Sequence, residues 1–226
     1  MLLIAIDTSG RKGSVALGRG DESSFETLQL TPLEGGTYSA RLMPAIASML
    51  DRNSLDRNDV DAFVVVSGPG SFTGLRVGLA TVKGLCEVLR KPLATVSMLE
   101  ALALTHGAVE AKVTAVLDAG RGEVYVGEYE VSSGTAQLMR EYITKLVEFS
   151  TEVANLAGTI LTPDPSVFDA LRPAQPRIRL VAPVRADEIA RIGLRKLLAG
   201  EVADAVSVDV NYIRRSDAEI FSVPKP

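Results

Sequence analysis

The strongest constraint in this sequence is a pattern that occurs twice. The apolar run Leu2-Leu3-Ile4-Ala5-Ile6 leads into Asp7-Thr8-Ser9, a glycine-containing turn, and a return run, Ser14-Val15-Ala16-Leu17-Gly18. Much later, Val113-Thr114-Ala115-Val116-Leu117 leads into Asp118-Ala119-Gly120-Arg121-Gly122 and a return run from Glu123 to Tyr129. An apolar run of this length before each aspartate reads as a central strand, and each return run closes a β-hairpin. Self-similarity on this scale marks a duplicated supersecondary unit. The chain is therefore read as two structurally related lobes, residues 1–107 and 108–226, of α/β class.

The stretch Ser67-Gly68-Pro69-Gly70-Ser71-Phe72-Thr73-Gly74-Leu75-Arg76 joins a strand-like run, Ala62-Phe63-Val64-Val65-Val66, to a helical segment from Leu75 to Leu89. Gly68, Gly70 and Gly74 permit positive φ and close backbone approach, Pro69 fixes one φ, and Ser71 or Thr73 can cap the helix. The loop reads as a structural corner, with an anion cradle as the alternative. No Gly-Lys-Ser/Thr follows it, and its glycine spacing misses the dinucleotide fingerprint by one residue.

Two helices flank this corner. The first runs from about Tyr38 to Leu50; Pro44 costs about 3 kcal/mol in a helix interior, so the start is placed nearer Leu42 or the helix is kinked. The second is apolar around most of its circumference, which requires cover on more than one side, from this domain or from a partner. Leu42, Ile46, Leu79 and Cys86 fall on the core stripes. Met43, Ala47, Val77 and Val88 lie off them. A weaker strand is read over Asp21–Leu30, with a strand at Leu93–Val96 and a helix at Met98–His106 beyond the corner. After Val131 the pattern thins. It gives a helix near Leu146–Leu156, short strands at Thr159–Leu161 and Arg179–Val181, a helix at Ala186–Ala199, and a last strand at Val206–Ile213.

Composition narrows the chemistry. With 226 residues, 46% of them hydrophobic, the chain can bury a core without staples. Cys86 is the only cysteine and reads as a small core residue, so no intramolecular disulfide forms. His106 is the only histidine, which removes the two-histidine zinc sites and leaves no metal cluster to expect. No apolar run of about 18 residues occurs and no charged-then-apolar leader, so a soluble protein is expected. A net charge of −4 and a pI near 5.2 argue against a chain that grips nucleic acid alone. Arg214 and Arg215 read as a solvated pair, RNA contact being the alternative. Asp7, at a strand end beside hydroxyls and a glycine turn, stands where a magnesium-nucleotide could be met; it reads equally as bonding only to its own turn.

Ile4-Ala5-Ile6-Asp7-Thr8-Ser9, the Ser39–Pro44 segment, Ser67–Gly78, Asp118-Ala119 with Gly122-Glu123-Val124-Tyr125, and Tyr212-Ile213-Arg214 together closely resemble the TsaB (YeaZ) family of bacterial tRNA threonylcarbamoyladenosine biosynthesis proteins. The match is close over residues 2 to about 130 and loose beyond. The resemblance implies the actin-like ATPase fold (ribonuclease H-like, ASKHA) of two duplicated lobes and a cytoplasmic protein. It implies a non-catalytic scaffold or activator, with no catalytic residue and no required cofactor. The implied partners are the paralogue TsaD, which carries metal, nucleotide and the transfer site, and the ATPase TsaE. The complex installs the threonylcarbamoyl group on N6 of adenosine 37 of ANN-decoding tRNAs, and tRNA is met only through it. The first two helices pair with the same two in TsaD, or with a second copy when TsaD is absent, which gives Met43, Ala47, Val77 and Val88 to the interface. The paralogue's metal is held by a helix-borne His-x-x-x-His pair, and helix Tyr38–Leu50 has no histidine. Nucleotide binding at Asp7 and Asp118 is then vestigial. The competing readings are an autonomous actin-like ATPase or small-molecule kinase and, resting on superfamily labels alone, a metalloprotease without a metal site.

Overall fold

The computed structural model describes residues 1–107, 111–211 and 213. Among them the chain forms two compact units, one of Met1–Ala101 with Val184–Val210, the other of Leu102–Pro183 with Asn211. The sequence division at 107/108 is continuous; the compact units are not, because the last helix returns to the first sheet.

In the first unit, β1 (Leu2–Asp7), β2 (Lys12–Gly20), β3 (Phe25–Glu34), β4 (Ala62–Gly68) and β5 (Leu93–Ser97) form a sheet of order β3-β2-β1-β4-β5. The β1–β2 and β2–β3 pairs are antiparallel, whereas β4 and β5 join parallel. In the second, β6 (Ala111–Gly120), β7 (Glu123–Ser132), β8 (Thr135–Lys145), β9 (Thr159–Thr162) and β10 (Ile178–Leu180) repeat that order and those directions. Helices stand at matching places: α1 (Tyr38–Arg52), α2 (Phe72–Leu89) and α3 (Met98–His106) in the first half of the chain, α4 (Leu146–Glu152), α5 (Pro165–Leu171) and α6 (Ala186–Leu198) in the second. This duplicated three-hairpin-strand, two-crossover arrangement is the actin-like, ribonuclease H-like α/β fold.

Every residue of β1 is buried. Side chains alternate across a strand, so Ile4 and Ile6 face one way and Leu3 and Ala5 the other. Ile6 lies under α2, near Gly78, while Val64, which pairs with Ala5, lies under Gly193 of α6. A sheet covered on both faces explains the unbroken apolar runs of β1 and β4. Helix α6 is tied at both ends: the Ala186 amide donates to Ser14 Oγ at 3.0 Å, and Lys196 Nζ meets Glu100 at 2.8 Å in a largely buried pair.

Several expectations shift. Helix α1 starts at Tyr38 and runs unbroken through Pro44, because Pro44 and Ala40, whose carbonyl it leaves unpaired, both face outwards. The third strand lies four residues later than read from sequence; Pro32 fits within it because β3 is an edge strand. Strand β8 and helix α5 were not foreseen. The expected last strand at Val206–Ile213 is absent among its described residues: Asp204 accepts from the Val206 and Ser207 amides to make a turn, and Lys83 Nζ takes the Val206 and Val208 carbonyls at 2.9 Å each. Ala203 instead bridges to Leu93 on the β5 edge. Tyr212, Arg214 and Arg215 lie outside the described residues.

The Ser67–Arg76 loop is a corner closed by contact between backbones. Ser71 caps α2, its Oγ accepting from the Gly74 amide at 3.3 Å, and its own amide donates to the Ser9 carbonyl at 2.6 Å. The Gly68–Pro69 bond is cis, and Gly68 has φ +127°. A Cβ at Gly70 would strike the Ser9 carbonyl, one at Gly74 the Thr8 carbonyl, and one at Gly78 the Thr8 hydroxyl. Gly74→Ala should therefore cost about 1–3 kcal/mol, and Gly70→Val at least as much, read as a lowered Tm. Gly84→Ala, in the same helix with open space around an added Cβ among the described residues, should raise the stability of the monomer by about 1 kcal/mol. Equal Tm values for the Gly74 variant and the parent would disprove the close-approach account.

Candidate functional site

Strand β1 delivers Asp7 to the corner. Its carboxylate is 4% exposed and accepts from the Ser9 amide at 2.8 Å and the Ser9 hydroxyl at 2.6 Å. Burial raises its pKa above the ordinary carboxylate value, and the two Ser9 bonds offset only part of that. Thr8 Oγ1 donates to the Gly74 carbonyl at 2.8 Å, and Tyr38 Oη donates to the Gly10 carbonyl at 2.7 Å. Burial, with Asp7 and Glu34 nearby, pushes the Tyr38 hydroxyl up to about 12, so it stays a donor. The corner thus gathers Asp7 with its turn and with Gly68, Pro69, Gly70 and Gly74. The loop amides of Ser71 and Gly74 point to Ser9 and Ser71, which leaves neither for a phosphate.

Asp118 holds the corresponding place at the end of β6. It is exposed; its carboxylate accepts from the Gly120 amide at 2.9 Å, and its own amide donates to Asp164 Oδ2 at 2.8 Å. Asp164, just before α5, has its pKa raised mainly by burial, with the Asp118 amide opposing and the Asp118 charge adding. Sequence reasoning missed Asp164. Its signal was the Asp-Pro step, which reads as a breaker but here starts a helix with proline at its first position. Among the described residues, no three His, Cys, Asp or Glu side chains come close enough to share a metal ion.

The other feature is a surface. Helices α1 and α2 pack together, with Leu42, Ile46, Leu79 and Cys86 buried. On the outer side, Met43 is 47% exposed and stands with Ala40, Pro44 and Ala47 on one stripe of α1. Val88, 78% exposed, shares a narrow arc of α2 with Val77, which is half-buried, and with exposed Ala80 and Gly84. These named positions carry no charge; Asp51, exposed one turn beyond Ala47, closes the α1 stripe. The ionic residues of α2, Arg76, Lys83 and Glu87, fall to one side, Arg76 lying over the Phe72 ring at 3.7 Å.

Residues 35–165 match the family model of TsaD, tRNA N6-adenosine threonylcarbamoyltransferase. The chain is 31% identical over 229 residues to the tRNA threonylcarbamoyladenosine biosynthesis protein TsaB of Bacillus subtilis, covering 97% of this chain and 96% of that one. It is 34% identical over 134 residues to the protein of the same name in Escherichia coli, covering 58% of this chain and 55% of that one. In structure it is similar to YeaZ from Pseudomonas aeruginosa, with a TM-score of 0.71 and 26% identity over 94% of this chain and 100% of that one. The duplicated lobes, the glycine corner and a likeness that runs almost the whole length of both chains agree, and the chain belongs to the TsaB (YeaZ) family.

Proposed function

We propose that this chain is a non-catalytic scaffold and activator in tRNA threonylcarbamoyladenosine biosynthesis, pairing through the outer face of α1 and α2 with a TsaD-type transferase. In that complex the transferase carries metal, nucleotide and the transfer chemistry on N6 of adenosine 37 of ANN-decoding tRNAs. TsaE completes the assembly in the cytoplasm. The acidic chain meets tRNA only through it.

The observation that carries this reading is the uncharged, exposed face around Met43, Ala47, Val77 and Val88. Contiguous apolar surface on a helix pair marks an interaction site. The stretch that matches the TsaD model includes both helices, so a transferase of that family has a counterpart of the same pair, and two like surfaces can meet about a pseudo-two-fold axis. A second copy of this chain takes that place when the transferase is absent. Gly84 supports close packing there: a glycine inside an exposed helix costs about 1 kcal/mol against alanine, and among the described residues nothing comes within 4 Å of where its Cβ would stand.

The alternative, an autonomous ATPase or kinase, draws on Asp7, a carboxylate kept buried at a strand end against its own solvation. We read it as a remnant, with at most weak nucleotide binding at Asp7 and Asp118.

Met43→Glu and Val77→Glu should each weaken both the heterodimer and the homodimer about tenfold or more, since an unpaired charge would be buried at a cost of several kcal/mol. Sedimentation with and without the partner reads this, beside circular dichroism that should be unchanged. Normal pairing by both folded variants would place the interface elsewhere. The chain alone should neither turn over ATP nor modify tRNA, and calorimetric titration with Mg-ATP should give weak heat or none; turnover abolished by Asp7→Ala would favour the ATPase. Because the folded pKa of Asp7 is raised, the folded state binds the extra proton between the unfolded and folded values, so stability falls as pH rises through the folded pKa. Asp7→Asn should therefore raise Tm at pH 7, by a margin that shrinks as pH is lowered towards the unfolded value. A gain that does not vary with pH would mean that Asp7 is not the source.

A further inference from the structure

Beyond α6 the chain crosses from the α6 face of the first sheet to the α2 face. It rounds the β5 edge at Ala203, whose amide donates to the Leu93 carbonyl at 2.7 Å. Past that edge it is anchored three times. Asp204 closes a turn by accepting from the Val206 and Ser207 amides, Lys83 Nζ donates to the Val206 and Val208 carbonyls, and Val210 is buried.

Side chains two apart share one side of an extended chain, so a strand would turn Val206, Val208 and Val210 the same way. The Asp204 turn breaks that pattern. Val210 is buried and Val208 half-buried, while Val206 is 76% exposed. A short segment with fixed ends therefore holds one apolar side chain out in water.

Lys83 places this segment on α2. At about 3.6 residues per turn, Lys83 and Gly74 stand on opposite sides of the helix, and a Cβ at Gly74 would lie 3.3 Å from the Tyr38 ring of α1. Helix α1 thus runs along one flank of α2 and residues 204–208 along the other. Ala80, Gly84 and Val88 lie outward between the two flanks, and around Gly84 the described residues leave open space. Two cations of the second flank are already engaged, Lys83 by the carbonyls and Arg76 by the Phe72 ring. A stable interface takes about 20–30 residues a side. That is more than the exposed stripes of α1 and α2 supply, so a partner seated on them must also meet a flank.

We propose that residues 204–208 form a third element of the face that meets the TsaD-type transferase, with Val206 as their apolar contact and Lys83 as the residue that positions them. This rests on the pairing through α1 and α2 proposed above. A helix of the transferase lies over Gly84, with the α1 stripe on one side and Val206 on the other.

The test is sedimentation of the full chain titrated with the transferase. Val206→Glu should weaken the heterodimer about tenfold or more, with circular dichroism unchanged. Val206→Lys should do the same, which separates lost apolar contact from repulsion and stands in should the glutamate variant fail to fold. Val202→Glu, at an exposed valine before the β5 edge, should leave pairing as in the parent. Lys83→Met should weaken pairing and speed amide exchange at Val206 and Val208 but not within α2, and Lys83→Arg should restore both. Normal pairing by folded Val206→Glu and Val206→Lys, where Met43→Glu is impaired, overturns the proposal and leaves the α1–α2 reading in place. Impaired Val206 variants beside normal Met43→Glu and Val77→Glu support contact at this segment and overturn that reading instead. Normal pairing by all of them overturns both. A loss confined to the homodimer gives the segment to a second copy and overturns the transferase as its occupant.

Discussion

The first lobe depends on how closely helix α2 approaches the end of strand β1. Three glycines, Gly70, Gly74 and Gly78, let the loop and helix lie against Thr8 and Ser9 with no side chain between them. Hydrogen bonds from Thr8 to the Gly74 carbonyl and from Ser71 to the Ser9 carbonyl lock that contact. It fixes the angle at which α2 crosses the sheet. That in turn decides which residues of α2 look inward and where α1 rests, so the outer face of the helix pair is set by a backbone contact on its inner side.

What was legible in the sequence follows from burial. Strands β1 and β4 are covered on both faces and spell unbroken apolar runs; α6 has one buried face and spells a helical stripe. Strand β8 was illegible because it is an edge strand with a bulge, and its residues alternate neither cleanly nor for long. Helix α5 was hidden by Pro163 and Pro165, which act as breakers in a pattern scan even though proline is welcome in the first turn of a helix. The segment after Asp204 carries valines at strand-like spacing, but an aspartate turn and a lysine from α2 claim its backbone. At the candidate site, Asp7 and Asp118 stood out as the ends of apolar runs. Asp164 could not, since it comes to Asp118 only through the pairing of β9 with β6.

The two strand-end carboxylates have diverged although their places in the topology match. Asp7 is enclosed and bonded to its own turn; Asp118 is open to solvent and shares its surroundings with a second carboxylate. One copy of the position is thus sealed and the other open, although the strand order around them is the same.

The return of α6 to the first sheet has a consequence for synthesis. Until residues 186–198 have left the ribosome, the Val64 side of that sheet has no helix on it. The lobe encoded first therefore cannot be completed first, whereas the strands and helices of the second are contiguous in the chain and close over short loops. A nascent chain will expose one apolar sheet face while its downstream half is being made.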